Sequence, residues 1–393
     1  LARYAARGGR GGQAKREAAA RADLQRTLDW FQSYLRANHS RTREGFARLD
    51  AVGRIINQVV RFTSDPKNSL EPNAPVNYPL LWDTPRHDYV QWTGFAPNEG
   101  PGSLGRNTGE VIGVFGQVKV KHYETKGAAT LGYPSSINAL ALVAMEESLR
   151  GLKSPVWPED ILPPIDRALA ARGQALYQAH CVTCHQLIDR AAPHRRVVAM
   201  MTATSEVKTD DTSARNLVSA RLPSGILQGA LSPNGERYAA EVPALALLVD
   251  LGLGVLRHKP APVVLALLNA KVHGLEKTPK QGSRPVATAE APLADLMAYK
   301  ARPLNGTWAS SPYLHNGSVP TLYELLLPGA RRPRTFAVGR LEYDPRKVGY
   351  VSEGREPFVL DTAVPGNSNQ GHEYGTALSD DERWALVEYL KTL

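Results

Sequence analysis

Five consecutive residues, Cys181-Val182-Thr183-Cys184-His185, constrain this chain more than any other stretch. Two thiols separated by two residues can add across the two vinyl groups of one haem. The histidine that follows is then placed to bind the iron from one face. C-x-x-C-H is therefore read as a c-type haem attachment site. Cys181 and Cys184 are the expected thioether donors, His185 the proximal ligand, and one covalent haem c is expected in this chain. The competing reading is a structural zinc. The chain has only 2 cysteines, so a zinc site would need two histidines to complete its tetrahedron. His180 and His194 are poorly spaced for that.

The flanks favour haem. Asp166 to His180 reads as a helix, with Ile165, Leu169, Gly173, Leu176 and Ala179 recurring at steps of four and three. Gly173 weakens that helix, so the spacing implies close packing against a partner. The partner is expected at the far end of the chain. Ser379-Asp380-Asp381-Glu382 has capping-box spacing, with acids in the first turn, and Leu386, Tyr389, Leu390 and Leu393 share one face. A small-residue helix running into C-x-x-C-H, closed by an amphipathic terminal helix, resembles the cytochrome c fold.

The 393 residues suggest two to three domains. The fold class expected is mainly α with much irregular loop, with the cytochrome c-like haem domain on the C-terminal side. Residues 1–160 form a helical and loop-rich segment, and residues 161–393 the haem domain, with an insertion at about 195–295. Residues 1–13 look like a loop. Helices are expected over about 14–38, with Leu24, Leu28, Phe31 and Leu35 on one face, and over 44–60, 136–151 and within 240–272. Residues 61–134, rich in Gly, Pro and Asn, read as irregular structure on a core. No apolar run reaches the ~18 residues of a membrane span; Val242 to Leu256 contains Pro243 and Asp250 and reads as a buried helix. The net charge is +9, and residues 1–50 carry 11 basic against 5 acidic residues. That end either steers an acidic redox partner or is a solvated surface helix. No motif argues for nucleic acid.

Tyr299-Lys300-Ala301-Arg302-Pro303-Leu304-Asn305-Gly306 leads into Pro312-Tyr313-Leu314-His315-Asn316-Gly317-Ser318-Val319-Pro320-Thr321-Leu322. The second element resembles the C-terminal haem domain of bacterial di-haem cytochrome c peroxidases. With the first, it resembles more narrowly the RoxA-like rubber oxygenases and their relatives. Leu81-Trp82-Asp83-Thr84-Pro85, Ser154-Pro155-Val156-Trp157-Pro158-Glu159 and Gly366-Asn367-Ser368-Asn369-Gln370-Gly371-His372-Glu373 add to the match. The blocks are specific for the family and not for rubber cleavage. Members carry two haems. The motif here matches the second, so the resemblance implies that a first haem lies upstream of Leu1. Haem attachment follows export in bacteria, which implies an upstream signal and a periplasmic or secreted location.

The second axial ligand is open on residue type alone. A methionine would give a His/Met pair, but Leu314 stands where some di-haem peroxidases have one. Met297 reads as core, and Met200 and Met201 lie too near the attachment site. His372 sits in a Gly- and Asn-rich loop able to fold over the haem, and the resemblance implies a late histidine in such a loop; His315 is the alternative. His87, His122, His194, His258 and His273 read as surface groups. Arg302 either pairs with a haem propionate or lies on the surface. Trp82, Trp92, Phe95 and Phe115 are either cavity walls or core. The chain thus reads as part of a di-haem oxidoreductase, oxygenase or peroxidase, whose visible haem relays electrons to a redox partner protein or second haem domain. The alternative is a mono-haem electron carrier, which needs only about 100 residues.

Overall fold

A computed structural model describes residues 10–273, 278–354 and 358–393. Among these residues, 42% are helical and 12% lie in strands. The strands pair into six small sheets, so the expectation of a mainly α chain is corrected to a mixture of helices and short sheets. The strands are two to four residues long, too short for period-2 alternation to stand out in the sequence. Met200–Ala203, for example, pairs antiparallel with Ala298–Ala301 and parallel with Gln281–Gly282. No single helix among the described residues is long and apolar enough to cross a membrane.

The helix expected from residue 14 begins at Arg10 and runs to Ala37, so residues 10–13 are not loop; residues 1–9 lie outside the described residues. Leu24, Leu28, Phe31 and Leu35 stay exposed. The helix is fastened instead through Trp30, which stacks on Tyr34 and lies under the Arg61 guanidinium.

A second difference lies within 61–134. Gly102–Val114 is a helix in spite of four glycines. Gly113 explains why: a Cβ there would collide with both the side chain and the backbone of Ile55. Missing side chains let this helix lie directly on Ala51–Thr63, and that contact offsets the lost helix propensity. Ile56, Val59, Ile112 and Leu251 meet in one apolar cluster, which therefore joins the early helices to Ala244–Arg257. Of the run from Val242 to Leu256, Val242 and Pro243 lie in the strand Glu241–Pro243 and the rest is a largely buried helix as read, with Asp250 accepting from Tyr238 Oη at 2.9 Å.

A separate apolar cluster surrounds the two helices that flank the motif. Asp166 caps Arg167–His180 by accepting from the amides of Ala168 and Leu169. Ser379 and Glu382 form the expected capping box at the start of Asp380–Thr392. The two helices cross at Gly173, where a Cβ would strike the carbonyl of Ala385. The buried stripe on the first helix is Ala170, Gly173 and Tyr177. Leu169 and Leu176 are half-buried and Ala179 is exposed, so the stripe is rotated from the one the sequence suggested. Tyr177 packs on Tyr389 with ring centroids 5.3 Å apart.

Candidate haem site

The attachment helix ends at His180, and a tight turn follows. The amides of Cys184 and His185 donate to the carbonyl of Cys181 at 3.2 and 2.8 Å. Tyr177 Oη donates to the His185 carbonyl at 2.8 Å. Both cysteines are free thiols and half-buried. They line a cavity of about 450 Å³, with His185, Arg302, His315 and His372 also on its walls.

His185 is oriented by one hydrogen bond. Its Nδ1 lies 2.7 Å from the carbonyl of Arg302. A carbonyl only accepts, so Nδ1 carries the proton and Nε2 is left as the lone-pair nitrogen. This is the arrangement that sets a metal-binding imidazole. Burial lowers the His185 pKa, opposed by the Arg302 carbonyl.

Facing His185 is His372. The ring centroids are 6.2 Å apart with planes inclined by 58°. Two metal–nitrogen bonds of about 2 Å, plus half a ring on each side, give a separation of about 6 Å. Nδ1 of His372 is buried without a partner. Burial, then the neighbouring His185 and Arg332, push its pKa down to about 3. His315 is placed differently: its ring stacks on Tyr299 at 4.1 Å and meets Trp92 edge-on at 6.4 Å. Its Nε2 is also unpartnered, and burial lowers its pKa to about 4.

The His372 loop is held by a residue that the sequence did not single out. Arg332 is buried, and its guanidinium donates to the carbonyls of Leu325, Leu327, Asn369, Gly371 and His372 at 2.5–3.2 Å. Those five bonds use every N–H that a guanidinium has. The His372 amide donates to the Val207 carbonyl at 2.7 Å. Gly371 and His372 both have positive φ, and a Cβ at Gly371 would overlap the backbone of Lys208 and Thr209.

Arg302 contrasts with Arg332. Its two Nη atoms donate to the carbonyls of Leu80 and Trp82, both at 3.2 Å, and its Nε has no partner. Burial lowers its pKa to about 10. Among the described residues no carboxylate hydrogen-bonds to it. Met297 packs with Val207, Ala214 and Tyr299, and no methionine lines the cavity. No group of three or more His, Cys, Asp or Glu side chains among the described residues converges on a metal ion, which leaves the zinc reading without a site. His122, His194, His258 and His273 are exposed as expected. His87 is not: it is 3% exposed, with Lys300 Nζ 2.7 Å from its Nδ1.

These residues fit a haem. One wall offers two thiols and an oriented imidazole, the other an unpartnered imidazole, and the rim an unsatisfied guanidinium, with Leu314, Leu386 and Leu390 between them. Comparison with known families matches residues 298–337 to the RoxA-like, cytochrome c-like family. In this segment the chain is similar to the RoxA-like, cytochrome c-like family. The matched segment contains Arg302, the Pro312–Leu322 element and Arg332, and a cytochrome c-like domain implies haem c binding. Two relatives come from Sinorhizobium fredii (strain NBRC 101917 / NGR234). The uncharacterized protein y4iJ is 33% identical over 386 residues, covering 89% of this chain and 60% of y4iJ. The uncharacterized protein y4iM is 28% identical over 362 residues, covering 83% of this chain and 67% of y4iM. The chain thus spans less than two thirds of y4iJ.

Proposed function

We propose that this chain is the C-terminal haem part of a di-haem oxidoreductase of the rubber oxygenase or peroxidase type, working in the periplasm or after secretion. Cys181 and Cys184 would hold one haem c through thioethers, and His185 and His372 would bind its iron. The bound group supplies one-electron chemistry between ferric and ferrous iron. With an imidazole on each face, no position is open to oxygen or peroxide, which suits electron transfer to a second haem domain or a redox partner protein. The observation that carries the reading is the 6.2 Å separation of the His185 and His372 rings.

This chain's residues have the following roles. The Arg302 carbonyl keeps His185 in the tautomer that presents Nε2. Arg332 fixes the loop that delivers His372. The unpartnered Nε of Arg302 is available to a haem propionate. Leu314, Leu386 and Leu390 exclude water from the faces.

The test is spectroscopic. The haem-loaded ferric protein should be low-spin and lack the red-end band of a methionine ligand. His372→Ala should become high-spin and take up cyanide or imidazole, and His315→Ala should remain low-spin. The reverse pattern would move the ligand to His315, and a high-spin parent protein would end the relay reading.

A further inference from the structure

A second cavity, of about 320 Å³, shares part of its wall with the haem cavity. Lys300, Arg302, Leu80 and Trp92 face both cavities, whereas His87, Arg106, Glu110, Leu142 and Glu146 line only the second. Its body is apolar. Leu81 and Met145, at its edge, are 58% and 61% exposed, so it opens to solvent.

Lys300 is 9% exposed. Its Nζ donates to His87 Nδ1 and to the carbonyl of Tyr89, both at 2.7 Å. Neither acceptor is charged. An ammonium has three donors, whereas a neutral amine has two and a lone pair. The two acceptors therefore match the amine, and no third is present among the described residues. The carboxylates nearby are committed elsewhere. Asp88 is held by Arg196 at 2.6 Å and by Thr278. Glu146 is held by Arg106 at 2.5 Å and Asn107 at 3.1 Å, and Glu110 accepts from Gln91 at 2.9 Å. Burial, then the cations Arg302 and Arg106, hold Lys300 well below the usual lysine range. A desolvated lysine beside other cations is a nucleophile towards carbonyl carbon.

We propose that the second cavity binds small apolar aldehydes or ketones and that Lys300 condenses with them to an imine. The Nζ lone pair forms the N–C bond as the carbonyl π pair moves to oxygen. One N–H proton passes through His87 Nδ1 to that oxygen. The hydroxyl then leaves with the second N–H proton as water while C=N forms, so no oxidant or reductant is consumed. His87 can serve because burial, with the cations Arg302 and Arg106, keeps it neutral.

The test uses haem-loaded protein, hexanal and cyanoborohydride at pH 7, with adducts mapped by peptide mass spectrometry. A reduced hexyl adduct should form on Lys300 ahead of the exposed lysines. Lys300→Met should lose that adduct while the exposed lysines are labelled as before. His87→Ala, which keeps the amine, should slow it. Leu142→Trp, which fills the cavity, should slow it roughly tenfold by blocking the approach geometry. From pH 7 to 9 the Lys300 yield should stay nearly flat, whereas an ordinary lysine gains about tenfold per pH unit. Labelling of exposed lysines without Lys300 would overturn the proposal. So would a Lys300 yield that climbs with pH like the others, or one indifferent to Leu142→Trp.

Discussion

On one wall of the haem cavity, Cys181, Cys184 and His185 follow one another in a single turn after a capped helix, with a backbone set by residues a few places away and only the His185 ring oriented from afar, by the Arg302 carbonyl. On the facing wall, His372 arrives from a loop whose shape is imposed by Arg332, forty residues earlier, and by the Val207 backbone. The first wall is local in sequence and the second is assembled in space. The difference teaches where each is vulnerable. Local geometry survives the loss of distant contacts; an assembled loop depends on a few buried polar bonds, each costly to leave unmade.

The largest expected effect is on the local wall. Cys181→Ala combined with Cys184→Ala should abolish covalent haem, read as pigment lost from the protein on denaturing gels. Retained pigment would break the comparison, because attachment would then not depend on this turn.

Next comes Arg332→Met. It strips five carbonyls of their donor at once, and the cost should be on the order of 3 kcal/mol in chemical denaturation. The sharper sign is selective. The haem should stay covalently attached while the ferric spectrum shifts towards high spin, as His372 loses its support. A variant that stays fully low-spin would show that the loop holds itself.

The smallest effect should come from Asp166→Ala, which removes the cap of the attachment helix. Loss of an N-cap costs about 1 kcal/mol, measurable as a lower unfolding midpoint, with spin state and haem content unchanged. A change of spin state here would mean that the local wall is less autonomous than its bonding suggests.

Legibility in the sequence follows the same division. C-x-x-C-H, the cap at Ser379 and the close approach at Gly173 could be read because their partners are near or their residue types are distinctive. Arg332 could not, because backbone carbonyls are its only partners, and carbonyls leave no mark on residue identity. The burial of His87 escaped for a related reason: its partner Lys300 lies 213 positions away. The Gly102–Val114 helix was missed because glycine signals breakage when read locally and tight packing only when Ile55 is seen against it.

The two cavities share Leu80, Trp92, Lys300 and Arg302 as wall residues. Compartments with a common wall are energetically linked. Whatever free energy an occupant of one chamber adds to or takes from occupancy of the other, the reverse influence is equal in size, because both paths around the cycle end in the same doubly filled state. The residues common to both walls are therefore where an occupant of one chamber would be felt in the other.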